Sequence, residues 1–150
     1  MKTYKTPKED LSIVSEPTVS YSSLDDARAF DLINLIKKGL LYQKFEELYE
    51  QFTFSLSDWS SILHISERTM QRYEAENKRF DPVQSEKIIQ VAMLHKYGVS
   101  VFGTRDKFNS WLHTRNIAMG GFVPKDLLDS SIGIDLVKDE LVRIEYGVLA

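Results

Sequence analysis

From Ser23 onward, apolar side chains recur at intervals of three and four, punctuated by helix caps and glycine stops, and no paired segments alternate as half-buried strands do. This pattern confines the chain to an all-α fold. Ser23 is placed to cap a first helix, Asp25 and Asp26 suit its positive end, and Ala27, Phe30, Ile33 and Ile36 or Lys37 set its spacing until Gly39 stops it. A second helix carries Phe45, Leu48, Tyr49 and Phe52. A third begins near Ser57, with Leu56 as the preceding staple and Trp59, Ile62 and Leu63 facing the core. His64-Ile65 connects it to a fourth, capped by Ser66, in which Met70 and Tyr73 point inward and Arg68 and Arg72 outward.

Asp81-Pro82-Val83-Gln84 is a strong start signal, combining a cap, a first-turn proline and a reciprocal capping-box side chain. It opens a long helix through Ile88, Val91, Ala92 and Leu94 toward Gly98. Beyond Thr104, Phe108, Trp111 and Leu112 form one apolar face, and Asn116 to Gly121 form a loop with paired glycines. Pro124 opens a short helix bearing Leu127 and Leu128, and a last helix sets Ile134, Val137, Leu141 and Ile144 before Gly147. The expected division is a flexible arm over 1–22, a helical domain over 23–103 and a C-terminal domain over 104–150. Within the arm, Leu11-Ser12-Ile13-Val14 is the one segment able to add a strand to something else.

With 43% hydrophobic residues in 150, the chain has material for a core. It has no cysteine, which removes disulfides, thiolate metal sites and cysteine nucleophiles. No apolar run approaches the length of a membrane span, and Met1-Lys2-Thr3-Tyr4-Lys5 leads into polar sequence, so a cytoplasmic protein without membrane contact is expected. Catalysis is not expected either. The doublets Asp25-Asp26, Glu46-Glu47 and Asp139-Glu140 diverge by about 100° on a helix, and His64, His95 and His113 share no ligand spacing. Gly120-Gly121 lacks the strand-turn-helix setting of a phosphate loop, so neither cofactor nor metal is expected.

Two short helices joined by a tight turn, the second basic near its start, have the geometry of a helix-turn-helix. Arg68, Gln71 and Arg72 are side chains suited to base edges, Ser66 and Thr69 are short hydroxyl donors, and Lys78 follows the helix. Arg68 and Arg72 are also placed to pair with Glu67, Glu74 or Glu76 on an ordinary surface helix. The segment Ile62 to Tyr73 resembles the helix-turn-helix of Xre-type antitoxins, with His64 where such turns usually hold glycine. Glu67 suits the helix dipole but repels phosphate.

The second half is similar to the C-terminal toxin-binding domain of the Xre/MbcA/ParS antitoxins. The likeness rests on Trp111-Leu112, Asn116-Ile117-Ala118-Met119-Gly120-Gly121, Pro124, Leu127-Leu128-Asp129, Gly133, Val137, Leu141, Ile144 and Tyr146-Gly147. Most of these read individually as core or turn residues, Trp111, Leu127 and Ile144 among the core. The resemblance implies an antitoxin that neutralises a RES-domain toxin, a class similar in fold to ADP-ribosyltransferases that degrades NAD⁺, and that binds its own promoter. It also implies that the last residues, Arg143 with Glu145, Tyr146, Gly147, Val148, Leu149 and Ala150, obstruct the toxin's NAD⁺ pocket. An apolar tail ending in a carboxylate suits a concave cationic site, although the same residues could fold back on the core. The different-class rival is an enzyme; the nearer one is a stand-alone transcription factor, which has no use for an exposed tail.

The formal charge of −3 is unevenly spread. Residues 56–80 are neutral, with Arg68, Arg72, Lys78 and Arg79 offset by four carboxylates, whereas residues 122–150 carry −3. DNA reading is therefore expected of a homodimer on double-stranded operator DNA, helped by Lys87 or Lys96, and the acidic end is expected to face a protein.

Overall fold

The structure, a computed structural model, describes residues 26–147. The expectations placed on 1–22, Ser23, Asp25, Val148, Leu149 and Ala150 lie outside the described residues, as do the side chains of Asp26 and Ala27. Among the described residues seven α-helices follow in order: α1 (Asp26–Lys38), α2 (Tyr42–Tyr49), α3 (Leu56–Leu63), α4 (Glu67–Glu76), α5 (Pro82–Phe102), α6 (Arg105–Leu112) and α7 (Ser131–Glu145). Short 3-10 turns at Ile117–Met119 and Pro124–Leu127 join α6 to α7. Among the described residues no strand forms, only isolated bridges between Leu41 and Arg79 and between Asn116 and Phe122. The fold is all-α.

α5 is the organising element, since α1, α3, α6 and α7 all pack on it. Its start holds the expected reciprocal cap: the Gln84 amide donates to Asp81 at 2.7 Å and the Asp81 amide to Gln84 Oε1 at 3.1 Å. Its end lies further on than expected. The helix runs through Gly98 and stops at left-handed Gly103, because Gly98 is a packing position: a Cβ there would meet the Phe108 ring at 2.2 Å. Removing that one carbon lets α6 close onto α5.

Three other places depart from the local pattern. α1 buries Leu32 and Leu35, while Phe30 and Ile33 stand 64% and 43% exposed; two apolar stripes compete on this helix, and packing against α5 selects the second. α3 is capped by Ser55 rather than Ser57. The Asp58 amide donates to Ser55 Oγ at 3.1 Å and the Ser55 amide to Asp58 Oδ2 at 3.0 Å, leaving Leu56 inside the helix. Ser57 has only Ser60 three residues on, and the Ser60 hydroxyl donates to the Ile65 carbonyl instead. Ile144 is exposed, and Trp111 and Leu127 are only half-buried.

The core is continuous from α1 to α7, and its N-terminal part is aromatic. Trp59 is fully buried, with ring centroids of Phe45, Phe52 and Phe54 at 5.0, 5.3 and 5.6 Å. Such contacts each add about 0.5–1.5 kcal/mol beyond burial. Gly39–Tyr42 and Lys78–Phe80 run side by side and close this unit: Phe80 donates to the Leu40 carbonyl at 2.8 Å, and Arg79 to the Gly39 carbonyl at 2.8 Å.

Candidate functional site

α3 and α4 meet through a turn in which His64 takes φ 55° and ψ 40°, the left-handed conformation normally left to glycine. Its side chain compensates by reaching across the molecule. His64 Nε2 donates to the Asp129 carbonyl at 2.7 Å, and Lys87 Nζ donates to the same oxygen at 3.3 Å. Asp129 immediately precedes Ser130, which caps α7.

A second tie joins the same two regions, with Lys125 3.1 Å from Asp58. Burial raises the Asp58 pKa, but hydrogen bonds from the Ser55 amide and from Lys125 outweigh it, and the carboxyl ends below its usual value. Neither tie was legible in sequence, because each spans more than sixty residues.

At the start of α4, Ser66 Oγ accepts from the Thr69 amide at 3.1 Å and donates to Thr69 Oγ1 at 2.9 Å. The Ser66 hydroxyl proton is thereby committed to the cap, so Thr69, half-buried, is the one of the two with a hydroxyl proton still to give. Arg68, Gln71 and Arg72 are exposed and share one helix face. Neither arginine forms an ion pair with Glu67, Glu74 or Glu76 among the described residues. Arg72 and Lys78 both approach the Tyr73 ring, at 5.8 and 5.1 Å from its centroid, so one aromatic ring gathers two cations.

Arg79 is held by the Gly39 carbonyl, and half-buried Lys96, on α5, has its ammonium shielded from solvent. Lys87 leans toward Asp129.

The histidines have separate environments. His95 is buried beside Phe52 and Phe108, hydrogen-bonds to Asn109 at 3.2 Å, and has its pKa lowered to about 4 by burial. His113 lies 2.7 Å from Thr53 Oγ1. Among the described residues, no group of histidine and carboxylate side chains is arranged to hold a metal, and no helix is long and apolar enough to cross a membrane.

The C-terminal candidates divide between anchored and free. Arg143 lies 3.5 Å from Glu140. Glu145 accepts from the Tyr97 hydroxyl on α5, whose pKa is raised by burial and by that carboxylate. Tyr146 and Gly147 are exposed, and Gly147 takes φ 64° where the helix ends. Further up α7, Ile132 and Leu136 also face outward.

Known proteins share this layout. A family model described as the antitoxin Xre-like helix-turn-helix domain matches residues 31–93, and one described as the antitoxin Xre/MbcA/ParS C-terminal toxin-binding domain matches residues 98–147. The chain belongs to the Xre/MbcA/ParS antitoxin family. Relatives agree along most of their length. An antitoxin named Prs ADP-ribosylating antitoxin from Sphingobium sp. (strain YBL2) is 26% identical over 89% of this chain and 90% of its own. The antitoxin Xre of Yersinia enterocolitica is 25% identical over 85% of this chain and 86% of its own, and that of Photorhabdus laumondii is 24% identical over 77% and 79%.

In this antitoxin the helix-turn-helix domain match runs from α1 into α5 and takes in α3 and α4, and the toxin-binding match runs from the end of α5 through α7. The His64 and Lys125 ties hold them together. The outward residues Ile132 and Leu136 did have a sequence signal: they are the apolar positions of α7 left over once Ile134, Val137 and Leu141 are assigned to the core.

Proposed function

We propose that this antitoxin neutralises a RES-domain toxin that degrades NAD⁺, obstructing its active site with Arg143, Glu145, Tyr146, Gly147, Val148, Leu149 and Ala150. The observation that carries the reading is the exposed last turn of α7 within the toxin-binding region, where Tyr146 is 74% exposed and Gly147 takes the left-handed conformation. The hydrogen bond from Tyr97 to Glu145 fixes the last turn of α7 on α5. A tail launched from a fixed point loses less entropy on entering a pocket than one hung from a mobile linker.

The chain also represses its own operon, as a cytoplasmic homodimer placing two α4 helices in successive major grooves. Arg68, Gln71 and Arg72 read base edges, Thr69 and Lys78 donate to the phosphates, and Ser66 serves the same contact by capping the helix start that faces them. Residues 23–103 serve DNA and residues 104–150 serve the toxin. The antitoxin itself performs no chemistry.

The name of the Sphingobium relative favours a second toxin chemistry, transfer of ADP-ribose to a protein. Cells expressing the adjacent toxin separate the two: loss of total NAD⁺ without labelled protein indicates degradation, and labelled protein indicates transfer. In the same cells the full-length antitoxin restores growth and a chain lacking Val148 to Ala150 does not. Equal rescue by the shortened chain overturns the tail-obstruction reading.

A further inference from the structure

α7 has two apolar faces. Ile134, Val137 and Leu141 are buried against the body, whereas Ile132 and Leu136, four residues apart and so on one side of the helix, are 76% and 48% exposed. Asp135 and Asp139 border that side and are exposed as well. Among the described residues, six of the nine large exposed apolar side chains fall within the toxin-binding match, these two included. The outward line from Ile132 through Leu136, Asp139 and Arg143 runs down the helix toward Tyr146.

We infer that the outward face of α7, centred on Ile132 and Leu136, is a docking ridge for the toxin, seated in an apolar groove rimmed by lysine or arginine outside the toxin's active-site pocket. The inference rests on the toxin-neutralising reading above and gives it a second contact. Two points of physics select this occupant. Apolar side chains flanked by exposed charge form the small core and polar rim of a protein interface. A second copy of this chain is disfavoured, because pairing α7 with α7 brings Asp135 and Asp139 toward their counterparts within segments carrying −3 each. Continuity with the exposed end of the helix lets ridge and tail engage one partner together, and linking two contacts raises affinity without tightening either.

The test measures binding of purified full-length antitoxin to the purified product of the adjacent toxin reading frame. The variants are Ile132→Asp with Leu136→Asp, the milder Ile132→Ala with Leu136→Ala, and Asp135→Lys with Asp139→Lys. Both side chains point away from the core, so thermal unfolding and operator gel shifts are expected to match the unsubstituted chain. The aspartate pair weakens toxin binding by about tenfold or more and the alanine pair by less. The lysine pair weakens it at low salt and less at high salt. Should the aspartate pair fail to fold, the alanine and lysine pairs decide the matter.

Toxin affinity unchanged in every folded variant overturns the ridge. So does loss of self-association with toxin affinity intact, which assigns the face to a second copy. If the unsubstituted chain does not bind the toxin, the underlying functional reading fails. Binding by the unsubstituted chain with equal binding by the variants overturns the ridge alone.

Discussion

His64 Nε2 donates a hydrogen bond to the carbonyl oxygen of Asp129, tying the turn of the helix-turn-helix to the residue before the cap of the last helix. The bond accounts for a non-glycine residue at φ 55°. A left-handed conformation costs about 1–2 kcal/mol for an L-residue, and a net hydrogen bond returns about 1 kcal/mol. His64→Ala keeps the strain and loses the bond, so urea unfolding is expected to show a loss of about 1 kcal/mol. His64→Gly loses the bond and the strain together and is expected to be more stable than the alanine variant. Equal midpoints for the two variants would contradict this account of the turn.

Arg68→Ala and Arg72→Ala are expected to cost about 1–3 kcal/mol each at the cognate operator if the side chain reads a base, with little change in unfolding midpoint because both are exposed. Arg79→Ala should do the reverse. Its guanidinium holds the Gly39 carbonyl, so the loss appears in stability first. Gel-shift titrations with parallel urea melts separate the roles.

The helices were legible because caps and apolar spacing are local. Asp81, Pro82 and Gln84 announce α5, and Ser66 announces α4, with no knowledge of the remainder of the chain. Sequence and structure part where two local answers are equally good and only packing chooses between them. On α1 either Phe30 and Ile33 or Leu32 and Leu35 make an acceptable stripe, and contact with α5 decides. At Gly98 a helix stop and a close helix crossing look identical in sequence, and the Phe108 ring settles which it is. The exposed face of α4 was readable from Met70 and Tyr73 pointing the other way. The Asp129 and Lys125 ties were not, since no periodicity links residues so far apart.

Gly133 sits where the Leu127 carbonyl crosses the start of α7, and a Cβ there would lie 1.7 Å from that oxygen. A backbone atom cannot swing aside as a side chain can. Gly133→Ala is therefore expected to destabilise the chain by about 1–3 kcal/mol through overpacking, despite alanine's better helix propensity. A midpoint equal to or above that of the unsubstituted chain in thermal unfolding would show that the 3-10 turn yields freely.

His95 makes stability fall on acidification. Burial lowers its pKa from 6.5 to about 4, so between these values the unfolded chain binds a proton that the folded chain refuses. Stability from this group is fully present above about pH 6.5 and is lost progressively as pH falls toward 4, by about 3 kcal/mol at most. Asp58, with its lowered pKa, adds a smaller loss only at the acid end, below the usual carboxylate range. Urea midpoints from pH 7 to pH 4.5 should fall steeply for the unsubstituted chain and more shallowly for His95→Gln, which does not titrate. Parallel slopes would place the acid sensitivity elsewhere.

In the proposed mode of action the end of the chain disables a toxin. The most direct measurement titrates purified antitoxin into the purified adjacent toxin while following NAD⁺ consumption, with the full chain and with a chain lacking Val148 to Ala150. The account predicts that the full chain abolishes consumption at stoichiometric concentration, whereas the shortened chain still binds but leaves most of the activity. Equal inhibition by the two chains, or no inhibition by either, would contradict it.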